Sequence, residues 1–309
     1  MPRPELTVYQ NEVDQYFSTL PAESFEETHC LFCGKDSESV QLFEKGTMQV
    51  RRCRCGMVWN ARQPTQTTLN QFYAESRAMS QWAILKEGRD EDVRQQEKFS
   101  PAVDLLVSSG VKSVADIGCG NGRFLMHLRA KNPDIYLRGT EQNSSALRIA
   151  TQNGLTVYPW SLEDFCEHNA STYDAITLWG VLEHLKRPGE ALRALSDHLH
   201  PGGHVVVCVP NVNSEVVRNL WAKCFTFCPQ HLWYFSPTTV VQCLMNAGFE
   251  YPSDHWTIEP EVNPIRRHRS GLPPYDGAFD EMINEILLPN EVLGLGRGYK
   301  IVMIARKPG

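Results

Sequence analysis

The sequence predicts a doubly wound α/β fold with a mostly parallel sheet, preceded by a small cysteine-bearing module. Two patterns carry most of that expectation. From Val111 onward, short apolar runs alternate with amphipathic stretches, the signature of strands in a sheet covered by helices on both faces. The first of these runs enters a glycine-rich turn, Gly118-Cys-Gly120-Asn-Gly122, before a helical stretch. A third observation sets the front of the chain apart: four cysteines lie close together between residues 30 and 55.

The elements follow in order. Residues 1–28 are polar, with one short helix expected near 11–20. Residues 29–60 hold the cysteines between two β-like runs, 39–43 and 48–52. Within 61–110, the stretches 69–77 and 94–108 carry apolar residues at helical spacing. Then come a strand at 113–117, a helix at 123–131, a strand at 135–140 and a helix at 145–153. A short strand at 156–158 and a longer one at 173–178 follow. Pro188 suits the first turn of a helix over 189–199. Pro201-Gly202-Gly203 is expected to end that helix and turn into a strand at 204–209, and 299–306 reads as one more strand. The domain expectation is a segment and cysteine module over 1–60, a helical linker over 61–110, and the main domain over 111–309.

With 309 residues, 42% of them apolar, the chain can bury one large core and a smaller one. A charged fraction of 21% is that of an ordinary globular protein. The formal charge of −6 speaks against a nucleic-acid partner, because phosphate binding shows as a basic excess. The local basic clusters, Arg51, Arg52 and Arg54, and Arg266, Arg267, His268 and Arg269, read as solvated faces. The N-terminal residues lack the continuous apolar core of a signal peptide. No stretch approaches the ~20 apolar residues of a membrane helix. Ten cysteines, most of them isolated within predicted core elements, suit a reducing compartment, so a cytoplasmic protein is expected.

The glycine turn is the first candidate site. Glycines let backbone approach a ligand closely, and the helix start beyond them offers free N–H groups. Glu141 ends the next strand about 20 residues on, where an acid can accept from ribose hydroxyls. These two features alone fit a dinucleotide equally well. Asp116, inside the turn, separates the readings: a carboxylate repels a pyrophosphate and attracts the ammonium of an amino-acid tail.

Asp116-Ile-Gly-Cys-Gly-Asn-Gly122 resembles the first motif of class I S-adenosylmethionine-dependent methyltransferases. The runs from Tyr173 through Glu183-His184-Leu and from Leu199 through Pro210-Asn211 resemble their fourth- and fifth-strand motifs. The resemblance, over roughly residues 100–250, implies a seven-stranded, Rossmann-like sheet and S-adenosyl-L-methionine as cofactor, with S-adenosyl-L-homocysteine as product. It implies that Asp116, Gly118 and Gly120 surround the methionine part, and that Glu141 holds the ribose with Gln142 beside the adenine. Ser161, Leu162 and Glu163 then line the adenine edge, and Trp179 lies near the sulfonium. Many relatives carry an acid where this chain has Ser161. Cys119, within the motif, reads as a small packing residue and not a nucleophile.

Cys30-Leu-Phe-Cys33-Gly has the form of a zinc knuckle, and Cys53-Arg-Cys55-Gly follows with nineteen residues between Cys33 and Cys53. The second pair is one residue short of the usual form, but residues i and i+2 share a face of an extended strand. One structural zinc is therefore expected on Cys30, Cys33, Cys53 and Cys55, with His29 as substitute if Cys53 points away. The cysteine order, followed by Gln71-Phe-Tyr73, is similar to bacterial methyltransferases with an N-terminal zinc ribbon, many of them associated with sugars or surface glycans. Some of those carry a further C-terminal domain that this chain is too short to contain, which lowers the C-methylation reading. Tyr73 is a candidate cover for the cofactor.

Acceptor-side residues are expected after the fourth and fifth strands, since ligands bind outside the carboxyl ends of a doubly wound sheet. A hydroxyl acceptor must lose a proton to a base within reach. The candidates are His184 and His231, the latter in the aromatic-rich run Cys228-Pro-Gln-His231-Leu-Trp-Tyr-Phe-Ser236. Relatives with a catalytic divalent metal use a Glu-x-x-Glu-His cluster; Gly180 replaces the first Glu here, so no active-site metal is expected. Residues 260–297 form a long Pro- and Gly-containing loop, a candidate cover for the acceptor pocket. The leading expectation is transfer to a hydroxyl of a small polar metabolite such as a sugar. Transfer to RNA, and a non-catalytic cofactor-binding protein, are the alternatives.

Overall fold

The computed structural model describes residues 4–34, 38–87, 89–258 and 298–309. The expected loop at 260–297 and the cluster at 266–269 lie outside the described residues. Two compact units divide the chain: Met1–Thr65, Pro210–Thr239 and Trp256–Val302 form one, and Gln66–Val209, Val240–His255 and Met303–Gly309 the other.

The large sheet has seven strands, as expected: β1 (Ser113–Ile117), β2 (Tyr136–Thr140), β3 (Val157–Tyr158), β4 (Tyr173–Trp179), β5 (Leu199–Pro210), β6 (Asp254–Ile258) and β7 (Lys300–Arg306). Their order is β3-β2-β1-β4-β5-β7-β6. The pairs β2–β3, β1–β2, β1–β4 and β4–β5 are all parallel. β1 therefore has β2 on one side and β4 on the other. That reversal of direction opens a crevice at the carboxyl ends of β1 and β4, the usual ligand position in such sheets. Val114, Ala115, Ile117, Ala175, Ile176, Leu178 and residues 205–209 are buried, the continuous apolar pattern of strands covered on both faces.

The helices are set by local signals. Arg123–Lys131 buries Phe124, Leu125 and Leu128. Ser144–Gln152 is capped by Asn143, whose side chain accepts from the N–H groups of Ser145 and Ala146. Leu162–His168 opens with a capping box between Ser161 and Asp164. Pro188–Asp197 begins on its proline.

Several elements differ from the sequence reading, and three of them have a clear local cause. The N-terminal helix spans Pro4–Ser18, starting earlier because a proline costs nothing in a first turn. A helix at Arg77–Leu85 was not anticipated; Ser76 caps it by accepting from Met79 N–H, which splits the expected 69–77 stretch. β5 runs on through Pro201-Gly-Gly203, with a register slip between Leu199 and His204. The glycines form a bulge in place of a turn: Gly202 has φ +74°, and the Gly202 N–H and Gly203 carbonyl both pair with Lys307.

In the other unit, Ser39–Lys45 pairs antiparallel with Met48–Cys53, that strand with Val58–Asn60, and that one with Trp233–Tyr234. Residues some 175 positions apart thus join one small sheet. Its core holds Met48, Val50, Val58, Phe227, Tyr234 and Tyr299. Among the described residues, no helix is long and apolar enough to cross a membrane.

Candidate active site

The glycine turn leaves β1 with three left-handed glycines, Gly118 (φ +66°), Gly120 (φ +55°) and Gly122 (φ +75°). They serve different ends. A Cβ at Gly118 would come within 2.8 Å of Val181 Cγ2, and one at Gly122 would run into Leu155. At Gly120 an added Cβ would meet no described atom within 4 Å, so that side of the backbone is open among the described residues. Its N–H donates to Glu141 Oε2 at 2.9 Å.

Asp116 is 1% exposed, and Thr177, its register partner on β4, donates a hydroxyl to Oδ1 at 2.6 Å. Burial raises its pKa to about 7, against the lowering effects of Thr177 and Lys98; the Glu141 charge raises it further. Glu141 is raised as well, mainly by desolvation, while backbone N–H groups of Asn143, Gly120 and Gln142 pull it down. Two acids therefore meet at the ends of β1 and β2 in a site that disfavours their charge until a cation or hydrogen-bond donors arrive.

Gln142 follows Glu141 at the end of β2, and Ser161, Leu162 and Glu163 open the helix after β3. The Ser161 hydroxyl and N–H both go to Asp164 Oδ2, at 2.8 and 2.9 Å. Trp179 ends β4 against Phe99 and Phe124, with Lys98 Nζ 5.3 Å from its ring centre. Among the described residues, its buried indole N–H finds no hydrogen-bond acceptor.

Two asparagines that sequence reasoning passed over tie the helices of residues 66–85 to this site. Asn121 Nδ2, in the glycine turn, donates to the Ala83 carbonyl at 2.7 Å. Asn143 Nδ2 donates to the Tyr73 carbonyl at 3.3 Å, while its N–H donates to Glu141 Oε1 at 2.8 Å. A signal for Asn143 was available, since Asn after a strand and before a helical stretch is a helix cap. Tyr73 also reaches past β4: its Oη lies 2.7 Å from Nδ1 of His184.

In the unit that holds the cysteines, Cys30, Cys33, Cys53 and Cys55 bring all four sulfurs within 4.8 Å of one another. The Cys30–Cys55 and Cys33–Cys53 sulfurs are 3.4 Å apart, so these are free thiols and not disulfides. Gly34 and Gly56, at φ +64° and +96°, turn the two knuckles. Cys53 is buried and points into the cluster, so the four cysteines form the group without His29. In the same unit His231 Nδ1 lies 2.7 Å from the Thr226 carbonyl oxygen. A carbonyl can only accept, so Nδ1 carries a proton.

A family model described as a methyltransferase domain matches residues 91–253. The chain belongs to this methyltransferase family. The match spans β1 through the glycine turn, β4 and β5, and the chain is an S-adenosylmethionine-dependent methyltransferase. Among curated proteins, the methyltransferase is 27% identical over 168 residues to a ubiquinone biosynthesis O-methyltransferase of Marinobacter nauticus, covering 48% of this chain and 68% of the relative. It is 33% identical over 108 residues to one from Vibrio parahaemolyticus, covering 33% of this chain and 45% of the relative. A tRNA U34 carboxymethyltransferase of Desulfotalea psychrophila is 27% identical over 168 residues, 52% of each chain. The methyltransferase thus spans only about half the length of the last two. The magnesium protoporphyrin IX methyltransferase of Synechocystis PCC 6803, solved with SAH, shares the fold at TM-score 0.54 and 13% identity, over 79% of this chain and all of its own.

Proposed function

We propose that this methyltransferase moves the methyl group of S-adenosylmethionine to a hydroxyl of a polar small molecule, a sugar or similar metabolite, with His231 taking the acceptor proton. The observation that supports the base assignment is the Thr226 bond, which fixes the His231 ring and holds a proton on its Nδ1. The O-methyltransferase relatives support a hydroxyl acceptor.

The cofactor site fits its ligand. The methionine ammonium would neutralise buried Asp116, the open backbone at Gly120 leaves room for the tail, and ribose hydroxyls would donate to Glu141. Gln142, Ser161, Leu162 and Glu163 would border the adenine, with Trp179 near the sulfonium. The cofactor supplies an activated methyl; the protein orients it for in-line displacement. Residues 61–110 would cover it, a role supported by the ties to Ala83 and Tyr73.

One structural zinc fits the cysteine cluster. Four thiolates about 2.3 Å from a tetrahedral zinc lie about 3.8 Å apart, close to the separations observed. Such a site has no open position for chemistry, so its role would be to fold residues 1–60.

The test is a turnover screen of sugars, nucleotide sugars, phenols and tRNA with parent and His231→Ala. The variant should lose about 10²–10⁴-fold in maximal rate and keep its affinity for S-adenosylhomocysteine. Full activity in the variant would remove His231 as base. The tRNA relative supports RNA as a second reading, against the charge of −6; methylation of tRNA with affinity falling steeply in salt would establish it.

A further inference from the structure

We propose that a cavity on one face of strands β1, β2 and β3 is a second ligand site, which takes a small aromatic carboxylate while the cofactor crevice is filled. The inference goes beyond methyl transfer and does not depend on which acceptor is methylated. Three observations lead there.

First, the sheet and the helix Leu162–His168 leave a cavity of about 180 Å³. Arg138, Thr140 and Tyr158 line it from the sheet, and Phe165 and His168 from the helix. Interiors pack to crystal-like density, so a void of this size is a feature and not slack. A cavity of about 150 Å³ holds one benzene ring, so this space fits a single ring with a short substituent. Gly118, Gly120, Glu141 and Trp179 take no part in its wall, which sets it apart from the cofactor crevice.

Second, the cation in its wall is uncommitted. Arg138 is half-buried, and its guanidinium lies over the Tyr136 ring, 4.2 Å from the centre. Its Nη1 reaches the Leu137 carbonyl at 3.3 Å. Among the described residues, no carboxylate pairs with it. Stacking uses the flat face of the guanidinium and leaves N–H groups on its edge, the side through which Arg takes a carboxylate with two parallel bonds. Asp116 also borders the cavity but does not compete. It is 1% exposed, and its Oδ1 accepts from Thr177, which lies outside the wall.

Third, the wall consists of rings already held in place. Tyr158 and Trp160 stack 4.2 Å apart, within 10° of parallel, and His168 continues the stack at 5.8 Å. Tyr173 Oη donates to Asn169 Oδ1 at 3.0 Å, and Asn169 Nδ2 donates to the Ser171 carbonyl at 2.7 Å. Those polar groups satisfy one another, so Arg138 is left to select the charge of the ligand. Fixed rings lose little freedom when a flat ligand packs against them.

The cavity and the cofactor crevice share a strand end. Thr140 Oγ1 accepts from Gly118 N–H at 3.3 Å, and its carbonyl from Cys119 N–H at 2.8 Å. An occupant therefore sits against the strand that steadies the glycine turn without entering the crevice.

The experiment titrates benzoate to about 10 mM at about pH 6.5, where a carboxylate is charged, on protein saturated with S-adenosylhomocysteine. Proton–nitrogen correlation spectra follow the Trp160 indole N–H and the Arg138 Nε–H, identified by their loss in Trp160→Phe and Arg138→Gln. Both signals should move saturably, with a dissociation constant of about 1 mM for a ligand this small. Benzamide, of the same shape without the charge, should bind at least about tenfold more weakly, and so should benzoate to Arg138→Gln. No saturable shift, benzamide binding as well as benzoate, or benzoate displaced by S-adenosylhomocysteine overturns the proposal. Calorimetry should find S-adenosylhomocysteine bound to Arg138→Gln within about threefold of the parent. Should that variant fail to fold, the comparison of benzoate with benzamide in the parent decides. A parent that does not bind S-adenosylhomocysteine would refute the cofactor reading, and the same titration without it would still judge the cavity.

Discussion

Cofactor affinity should depend on pH through Asp116, and the size of the effect follows from its burial. The free acid has a pKa of about 7, because desolvation outweighs the hydrogen bond from Thr177 and the charge of Lys98. The cofactor's ammonium favours the ionised form, so binding lowers that pKa and releases a proton wherever the free protein holds one. At about pH 5, only about one molecule in a hundred has Asp116 ionised, which costs binding about 2.7 kcal/mol relative to pH well above 7. S-adenosylhomocysteine affinity should therefore rise about 100-fold between about pH 5 and 8. Titration calorimetry in two buffers of different ionisation heat would give both the affinity and the protons released, close to one at the acid end. Glu141 is raised too and contributes in the same direction; Asp116→Asn isolates the Asp116 share, and should bind more weakly with a much flatter profile. An affinity that is flat from pH 5 to 8, or an Asn variant that keeps the full slope, would refute the reasoning. The same shift has a stability consequence of opposite sign. An acid raised from 3.8 to about 7 adds stability below its ordinary range and loses it as pH climbs through 7, so the free protein should melt lower at pH 8 than at pH 5.

Other outcomes are equally direct. Gly122→Ala puts a Cβ into Leu155 at a left-handed position and should cost roughly 2–4 kcal/mol by chemical denaturation. Gly120→Ala meets nothing among the described residues and should cost only about 1–2 kcal/mol of backbone strain, yet calorimetry should show markedly weaker cofactor binding. Glu141→Ala should weaken S-adenosylhomocysteine by about 1.5–3 kcal/mol. Elemental analysis should find about one zinc per chain, and a strong chelator or Cys30→Ser should lower the melting temperature; a metal-free preparation that melts cooperatively and works normally would exclude the site.

Much of the sheet was legible because its strands are short β-branched runs closed by glycine or proline. β1 and the helix Arg123–Lys131 match the reading to the residue. The misses have physical causes. Arg77–Leu85 lies directly after another helix, and the only mark of the break is Ser76, whose role as a cap depends on backbone geometry. In β5 the Pro-Gly-Gly stretch has turn chemistry, but Lys307 supplies the missing ladder bonds from the far end of the chain. The candidate site divides in the same way. Asp116 and Glu141 announce themselves by their place beside a glycine turn. Thr177 becomes visible only through strand register, and Tyr73 meets His184 across 111 positions, which no local pattern encodes.

Gly139 and Cys119 share one small volume. A Cβ on Gly139 would come within 2.7 Å of Cys119 Sγ and 3.2 Å of Val157, and the thiol itself is buried enough to push its pKa well up. The sulfur therefore fills the space that strand β2 leaves by having no side chain there. In evolutionary terms the two positions are a single choice. A homologue that places alanine or serine at 139 should carry glycine or alanine at 119, and one that keeps a larger residue at 119 should keep glycine at 139. Cysteine at 119 then persists for its size, and serine, close to it in volume, should replace it across the lineage, as no thiol nucleophile would allow.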